Sequence, residues 1–154
     1  MNKLSNRSKS RLATCHPDLK RLVEEALPNC AIDFGISYGE RSQEEQFDLY
    51  KKGREQRGHK WVLVDPSKKV TNIDGYDVKS KHNHSPSLAF DFICYVNGKV
   101  TWKEKYYVFV AGYIMGKAQE LGINVTWGGN FDRDNDIMEA GTFRDLGHFE
   151  LNIN

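Results

Sequence analysis

A run of strand-forming residues that ends in a tight-turn signal narrows the possible folds of this 154-residue chain. Residues 88–96 are rich in aromatic and branched side chains, and Asn97-Gly98 follows them directly. Asn-Gly between two such segments is the strongest short-range signal for a β-hairpin, because both residues tolerate the positive φ that the turn requires. The sequence therefore predicts a hairpin whose return strand covers residues 99–102.

The spacing of apolar residues predicts three helices around this hairpin. The longest ends at Gly122, a residue type that commonly stops helices, and another begins at Pro17, whose missing N–H suits a first helical position. The predicted helices cover residues 17–27, 42–52 and 105–121, and the further strands cover residues 31–37, 123–127 and 148–153. This order predicts an α+β fold with a small antiparallel or mixed sheet flanked by helices.

The domain organisation predicted from the sequence is simple. No repeat, low-complexity stretch or linker divides the chain, so residues 1–154 are expected to form a single domain. Residues 1–13 are polar and basic, which predicts a flexible N-terminal arm. Residues 53–70 are highly charged without a clear period, which predicts a surface loop.

Composition and charge restrict the partners that this chain can have. Lys and Arg total 22 against 21 Asp and Glu, a net charge of +1, whereas nucleic-acid-binding domains usually carry a clear basic excess. No apolar run approaches the roughly 18 residues of a membrane span, and the first residues resemble no signal peptide. We therefore expect a monomer, made in the cytoplasm, that binds no nucleic acid and inserts into no membrane. The three cysteines are expected to be reduced.

Two segments contain residue types that could bind a metal ion. His82 and His84 precede Asp91, and His148 lies in Asp-Leu-Gly-His-Phe-Glu at residues 145–150. A catalytic zinc ion takes three imidazole or carboxylate ligands and leaves one position open, which His82, Asp91 and His148 would satisfy. His84 is the alternative, either as a ligand or as a substrate contact.

Two further residues suit hydrolytic chemistry beside such a metal. Asp145, three residues before His148, could take a proton from a water molecule that attacks a carbonyl group. Arg41 lies at a predicted strand-to-helix corner, where a fixed cation could stabilise the resulting oxyanion. The alternative for Arg41 is an ordinary ion pair with a neighbouring glutamate.

The order of these motifs resembles the M15 zinc peptidases. This family includes D-Ala-D-Ala dipeptidases and carboxypeptidases, and the L-alanyl-D-glutamate endopeptidases that phages use as endolysins. The motifs are Gly-Glu-Arg-Ser at 39–42 with Glu-Gln at 45–46, Ser80-x-His82, Ala89-x-Asp91, Trp-Gly-Gly at 127–129, and Asp145-x-x-His148-Phe149-Glu150. The resemblance covers residues 12–152 and implies a hedgehog/DD-peptidase-like zinc peptidase fold.

The resemblance also implies roles for individual residues. One zinc ion per chain would be held by His82, Asp91 and His148, with Asp145 as catalytic base and Arg41 as the carbonyl and oxyanion anchor. The residues that bind substrate would be Ser80, Gln46 and Trp127. An aspartate at position 145, where many dipeptidases carry glutamate, is similar to the phage endopeptidases.

The spacing of the first motif departs from the common form of the family. That form has six residues between the ligand histidine and the ligand aspartate, a spacing that His84 has with Asp91, whereas eight residues separate His82 from Asp91. The segment from Ser80 to Asp91 nevertheless resembles a longer variant found among phage lysins. His82 is therefore the preferred ligand.

These observations predict a zinc-dependent peptidase that cuts the peptide stem of peptidoglycan. An L-alanyl-D-glutamate endopeptidase acting as a phage endolysin, released to the wall at lysis with a holin, is the first hypothesis. The alternatives are a D,D-carboxypeptidase or D-Ala-D-Ala dipeptidase, and a non-catalytic zinc-binding module that recognises the wall. Alternating acids at Asp132, Asp134 and Asp136 also resemble the start of a calcium loop, although a solvated acidic loop beside the cleft is the preferred interpretation.

Overall fold

A computed structural model describes residues 1–153 of the chain. Four helices and seven strands follow one another in an α+β order. The helices are α1 (Asn6–Leu12), α2 (Pro17–Ala26), α3 (Gln43–Lys51) and α4 (Glu104–Leu121). The strands are β1 (Asp33–Tyr38), β2 (Arg54–Arg57), β3 (Lys60–Leu63), β4 (Ala89–Val96), β5 (Lys99–Thr101), β6 (Val125–Trp127) and β7 (His148–Leu151).

The main sheet has five antiparallel strands in the order β1-β4-β7-β6, and β5 pairs with the end of β4. The predicted hairpin is therefore present, with Asn97 at φ 52° and Gly98 at φ 73° in its turn. Helix α4 ends as predicted at Gly122, whose φ of 70° is left-handed and costs glycine little. The α+β class predicted from the sequence is confirmed.

The alternation of side chains along β4 and β7 separates the core from the functional face. Phe90, Phe92 and Phe149 are buried beneath α2 and α4, and the rings of Phe90 and Phe149 stack at 5.6 Å. Successive strand residues point to opposite faces, so Asp91 and His148, which are directly paired across the two strands, face the other way. The packing of the core thus fixes the direction of two predicted metal ligands.

The N-terminal residues differ from the predicted flexible arm. Ser5 caps helix α1, which packs against β1, and Ser8 and Leu12 are buried. The Ser8 hydroxyl accepts a hydrogen bond from the Ile36 N–H at 3.0 Å, and Arg11 donates to the Ile36 carbonyl at 3.1 Å. Helix α1 therefore satisfies backbone groups at the edge of the sheet, which a short polar sequence does not reveal.

The predicted surface loop at residues 53–70 is also wrong in part, because β2 and β3 form a separate two-stranded sheet there. Trp61 of β3 packs edge-on against Phe47 of α3, and the guanidinium group of Arg54 lies 3.9 Å from the ring centre of Tyr50. These contacts with α3 stabilise the β2-β3 hairpin, although its own sequence has no regular alternation of apolar and polar residues. The three cysteines are buried free thiols. Within residues 1–153, no helix has the length and apolar character needed to cross a membrane.

Candidate metal centre and active site

Three of the predicted residues converge at one point at the end of the main sheet. His82 lies in the helical turn Lys81–Asn83, Asp91 in β4 and His148 at the start of β7. The Oδ1 atom of Asp91 is 3.2 Å from Nε2 of His82 and 3.0 Å from Nδ1 of His148. The three ligand atoms lie within 4.8 Å of one another, as a shared metal ion requires. His84 is exposed and does not belong to this group.

A backbone carbonyl orients the ring of His82. Nδ1 of His82 lies 2.7 Å from the Gly39 carbonyl oxygen, which can only accept, so Nδ1 carries the proton and Nε2 is left facing Asp91. A side chain at Gly39 would collide with the Arg11 carbonyl and with Thr14, so only glycine allows β1 to pass this close to α1. Ser80 begins the turn, and its hydroxyl accepts from the His82 N–H at 3.2 Å.

A carboxylate orients the ring of His148. Its Nε2 lies 3.1 Å from Oε1 of Glu150, which projects from the same face of β7 because strand side chains alternate. Burial disfavours a charged ring, but the hydrogen bonds to Asp91 and Glu150 outweigh it and raise the pKa of His148 to about 10. Sequence reasoning gave Glu150 no role, although the His-x-Glu spacing in a strand predicts this shared face.

The pKa of the Asp91 carboxyl group is lowered in the same network. Burial alone would raise the pKa of this group, but the charges and hydrogen bonds of His82 and His148 reverse the shift. Asp91 therefore remains a carboxylate, the form that binds a cation.

Arg41 points into the same site. Its guanidinium group lies 4.7 Å from the ring centre of Tyr38, and one terminal nitrogen is 3.7 Å from Oδ2 of Asp91. The other terminal nitrogen donates to Oε1 of Gln46 at 2.9 Å. Arg41 therefore pairs with the metal site, and no ion pair with a neighbouring glutamate is found within residues 1–153.

Two of the residues predicted to bind substrate are almost completely buried. Gln46 is 1% exposed, and its amide donates to the Ile73 carbonyl at 2.8 Å while its oxygen holds Arg41. Trp127 is 3% exposed and donates its indole N–H to the Leu146 carbonyl at 2.8 Å. Both side chains have their polar atoms occupied within the protein, and of the two only Gln46 borders the cleft described below.

Asp145 lies at the edge of the centre. Its backbone is fixed on both sides, since its N–H donates to the Gly128 carbonyl at 2.8 Å and its carbonyl accepts from the His148 N–H at 3.1 Å. The residue is exposed as a whole, but the cleft around its carboxyl group removes water, and the Asp91 charge repels it. Both effects raise the pKa of Asp145.

The three converging residues, Arg41 and Asp145 line one cleft of about 780 Å³. Tyr38 is the last residue of β1 and Arg41 follows it, whereas Asn130 and Phe131 follow β6. Strands β1 and β6 lie on opposite sides of the β4-β7 pair. The cleft therefore crosses the end of the sheet directly over Asp91 and His148. The cleft is partly open to solvent.

The acidic segment after β6 forms a different group from the one predicted. Asp132, Asp134 and Glu139 can bring oxygen atoms within 4.8 Å of one another, and all three are exposed, whereas Asp136 is not part of the group. Exposed acidic groups of this kind are common without an ion. The predicted calcium site is not supported.

An α+β domain whose cleft holds a His-Asp-His group that could bind a metal ion, with an acid and an arginine beside it, has the arrangement expected of a hydrolytic peptidase. The sequence model of the phage L-alanyl-D-glutamate peptidase family matches residues 1–152. The chain belongs to this family, and the resemblance seen in its motifs is confirmed.

Individual relatives agree with this assignment. The chain is 28% identical over 153 residues to the L-alanyl-D-glutamate peptidase of Escherichia phage T5, with 97% of each protein covered. It is 29% identical over 147 residues to the peptidoglycan L-alanyl-D-glutamate endopeptidase CwlK of Bacillus subtilis (strain 168), covering 88% of this chain and 72% of CwlK. The crystal structure of the Serratia marcescens L-Ala D-Glu endopeptidase ChiX superimposes with a TM-score of 0.67 at 28% identity, covering 98% of this chain and 91% of ChiX.

Proposed function

We propose that this peptidase is a zinc-dependent L-alanyl-D-glutamate endopeptidase that cuts the peptide stem of bacterial peptidoglycan. The observation that carries the proposal is the convergence of His82, Asp91 and His148 at the floor of an open cleft that also holds Arg41 and Asp145. The named activities of the phage T5 protein, CwlK and ChiX support the bond and the substrate.

The donor set fits zinc. Two imidazole nitrogens and one carboxylate oxygen make up a typical catalytic zinc site, and each histidine already has a second partner, Gly39 or Glu150, that fixes which nitrogen is free. A zinc ion bound there would polarise the scissile carbonyl group and lower the pKa of a water molecule toward neutrality.

The chain's own residues perform the other parts of the reaction. Asp145 is the base that takes the proton of the attacking water, and it then gives this proton to the leaving amine of the glutamate residue. Arg41, held by Tyr38 and Gln46, stabilises the negative oxygen that forms at the carbonyl carbon. Because Gln46 and Tyr38 position Arg41 before substrate arrives, little reorganisation is needed during the reaction.

We further propose that the protein acts as a phage endolysin. The phage origin of the T5 relative supports this setting. The protein would accumulate in the host cytoplasm and reach the wall at lysis with the help of a holin. Expression in a host bacterium with and without a co-expressed holin tests this role, since rapid lysis is expected only with the holin.

Digestion of purified peptidoglycan tests the proposed activity. Mass analysis of the fragments is expected to show new L-alanine carboxyl termini and D-glutamate amino termini, and a chelator is expected to stop their formation until zinc is restored. Release of free D-alanine would instead indicate the carboxypeptidase alternative. Wall binding without any new termini would indicate a non-catalytic module.

A further inference from the structure

The charges along the cleft are distributed unevenly. Six carboxylate residues line it: Asp91, Asp132, Asp136, Glu139, Asp145 and Glu150. Against them stand three permanently basic side chains, Arg41, Lys79 and Lys81. The proposed reaction assigns Arg41 to the oxygen of the scissile carbonyl group, so the two lysines are the basic side chains that remain for another anionic group of the substrate.

Lys79 and Lys81, here called the lysine pair, are placed to act together. Ser80 between them begins the turn Lys81–Asn83, so the two lysines lie on either side of the first residue of that turn. Both line the cleft, Lys79 at its exposed rim and the half-buried Lys81 next to His82. Within residues 1–153, neither ammonium group has a carboxylate within 4.0 Å.

The proposed substrate supplies an anion that needs a partner. A glutamate residue within a peptide uses one carboxyl group for the chain, and its other carboxyl group remains free and ionised at neutral pH. This carboxylate sits on the leaving side of the scissile bond, where Asp145 must also act. Like charges repel at short distance, so the acidic part of the cleft disfavours this group and the lysine pair attracts it.

We propose that the lysine pair binds the free carboxylate of the D-glutamate residue and thereby selects glutamate over its uncharged amide. This inference rests on the proposed function, and it assigns to Lys79 and Lys81 the recognition of the residue on the leaving side. An ammonium group and a carboxylate form a charge-assisted hydrogen bond, which is stronger than a bond between neutral groups. Lys81 is less exposed than Lys79, so water screens its charge less and it contributes more of the binding free energy of the carboxylate.

Two synthetic stem peptides that differ only in this group test the proposal. In one the free group of D-glutamate is a carboxylate, and in the other it is a carboxamide. The wild-type protein loaded with zinc is expected to cut the carboxylate form with a kcat/KM about tenfold higher. The double variant Lys79→Gln/Lys81→Gln is expected to cut both peptides with nearly equal kcat/KM. The kcat/KM on the carboxylate peptide should fall, and the kcat/KM on the carboxamide peptide should stay unchanged.

A matched control removes two other lysines. Lys99 and Lys103 are exposed and lie outside the cleft, so Lys99→Gln/Lys103→Gln is expected to retain the wild-type preference. The conservative variant Lys81→Arg, which keeps the charge, should also retain most of it. A variant damaged only in its fold would lose activity on both peptides equally and keep the ratio.

Two results would overturn the assignment. The assignment fails if the double variant keeps the wild-type ratio of kcat/KM between the carboxylate and carboxamide peptides. It also fails if Lys79→Gln alone removes the preference for the carboxylate peptide and Lys81→Gln does not. If the wild-type protein cuts neither peptide between alanine and glutamate, the proposed function itself fails. The two failures are therefore distinguishable.

Discussion

At the scale of single residues, Asp91 connects the parts of the site. One of its oxygens faces both histidine rings and the other faces Arg41. The motif order was sufficient to predict this aspartate and its two histidines. The partner of His82 was not predictable, because the Gly39 carbonyl contacts it across 43 residues of sequence.

Replacement of the proposed base separates chemistry from structure. Asp145→Asn keeps the size of the side chain and removes its ability to take a proton, so kcat/KM on peptidoglycan peptides should fall by about 100- to 10,000-fold. Bound zinc and the melting temperature should stay close to wild type, because Asp145 is not one of the three converging ligands. A variant that cleaves at the wild-type rate would exclude Asp145 as the base.

Glu150 is expected to control metal affinity through His148. Glu150→Ala leaves Nε2 of His148 without its partner, and loss of such a partner typically weakens metal binding by about 10- to 100-fold. Competition with a chromophoric chelator measures the zinc Kd. Glu150→Gln, which can still accept from Nε2–H, should lose less, and Glu25→Ala on the exposed side of α2 should lose nothing. An unchanged Kd in Glu150→Ala would contradict this role.

Gln46 is expected to act through Arg41 and not through contact with substrate. Gln46→Met preserves volume but leaves a buried Arg41 donor and the Ile73 carbonyl without partners, which should cost about 1–3 kcal/mol of unfolding free energy. The kcat should fall while KM changes little. Gln46→Glu keeps an acceptor for Arg41 and should recover most of kcat. A rise in KM with unchanged kcat would instead indicate a direct substrate contact.

At the scale of secondary structure, the elements predicted correctly are those whose turn and stop residues lie within their own sequence. The β4-β5 hairpin and helix α4 have their turn residue and their stop residue within their own sequence. Helix α1 and the β2-β3 hairpin were missed because contacts elsewhere stabilise them, namely Ser8 with β1 and Trp61 with Phe47 of α3. Such contacts between distant segments leave no periodic pattern in the sequence.

Strand β1 begins with an unfavourable charge, which gives a prediction about pH. Burial raises the pKa of Asp33, and within residues 1–153 its Oδ1 atom has no hydrogen-bond partner. A raised pKa means that the folded state binds the proton more tightly than the unfolded chain. The stability this provides is therefore complete below the unfolded pKa of about 4, and it is lost as pH rises through the higher folded pKa.

Asp33→Asn, which is uncharged at every pH, should therefore have a larger free energy of unfolding than wild type at pH 7. The difference should shrink as pH falls below about 4, where the wild-type carboxyl group is also neutral. Urea unfolding at several pH values measures this. Asp77→Asn, at an exposed position, is the matched control and should show no such gain. A variant less stable than wild type at pH 7 would contradict an upward shift in the pKa of Asp33.

At the scale of the whole molecule, metal binding should stabilise the fold, because the ligands come from three separate elements. At a zinc concentration about 100 times Kd, binding to the folded state alone adds about 2.7 kcal/mol. For a chain of this size, this corresponds to a rise in melting temperature of roughly 5–10 °C. Calorimetry with and without a chelator measures the shift. His82→Ala should remove the zinc-dependent rise, and its persistence would exclude His82 as a ligand.

Strand β4 carries the central aromatic rings and the shared carboxylate on alternate residues, Phe90, Asp91 and Phe92. Deleting a single residue inside this strand would exchange its two faces, turning a carboxylate into the apolar interior and a phenyl ring into the cleft. Descendants of this sequence can therefore lengthen or shorten the segments between strands, but they cannot change the length of this one. Changes in substrate specificity are therefore expected in those connecting segments, whereas the number of residues in β4 is expected to stay constant.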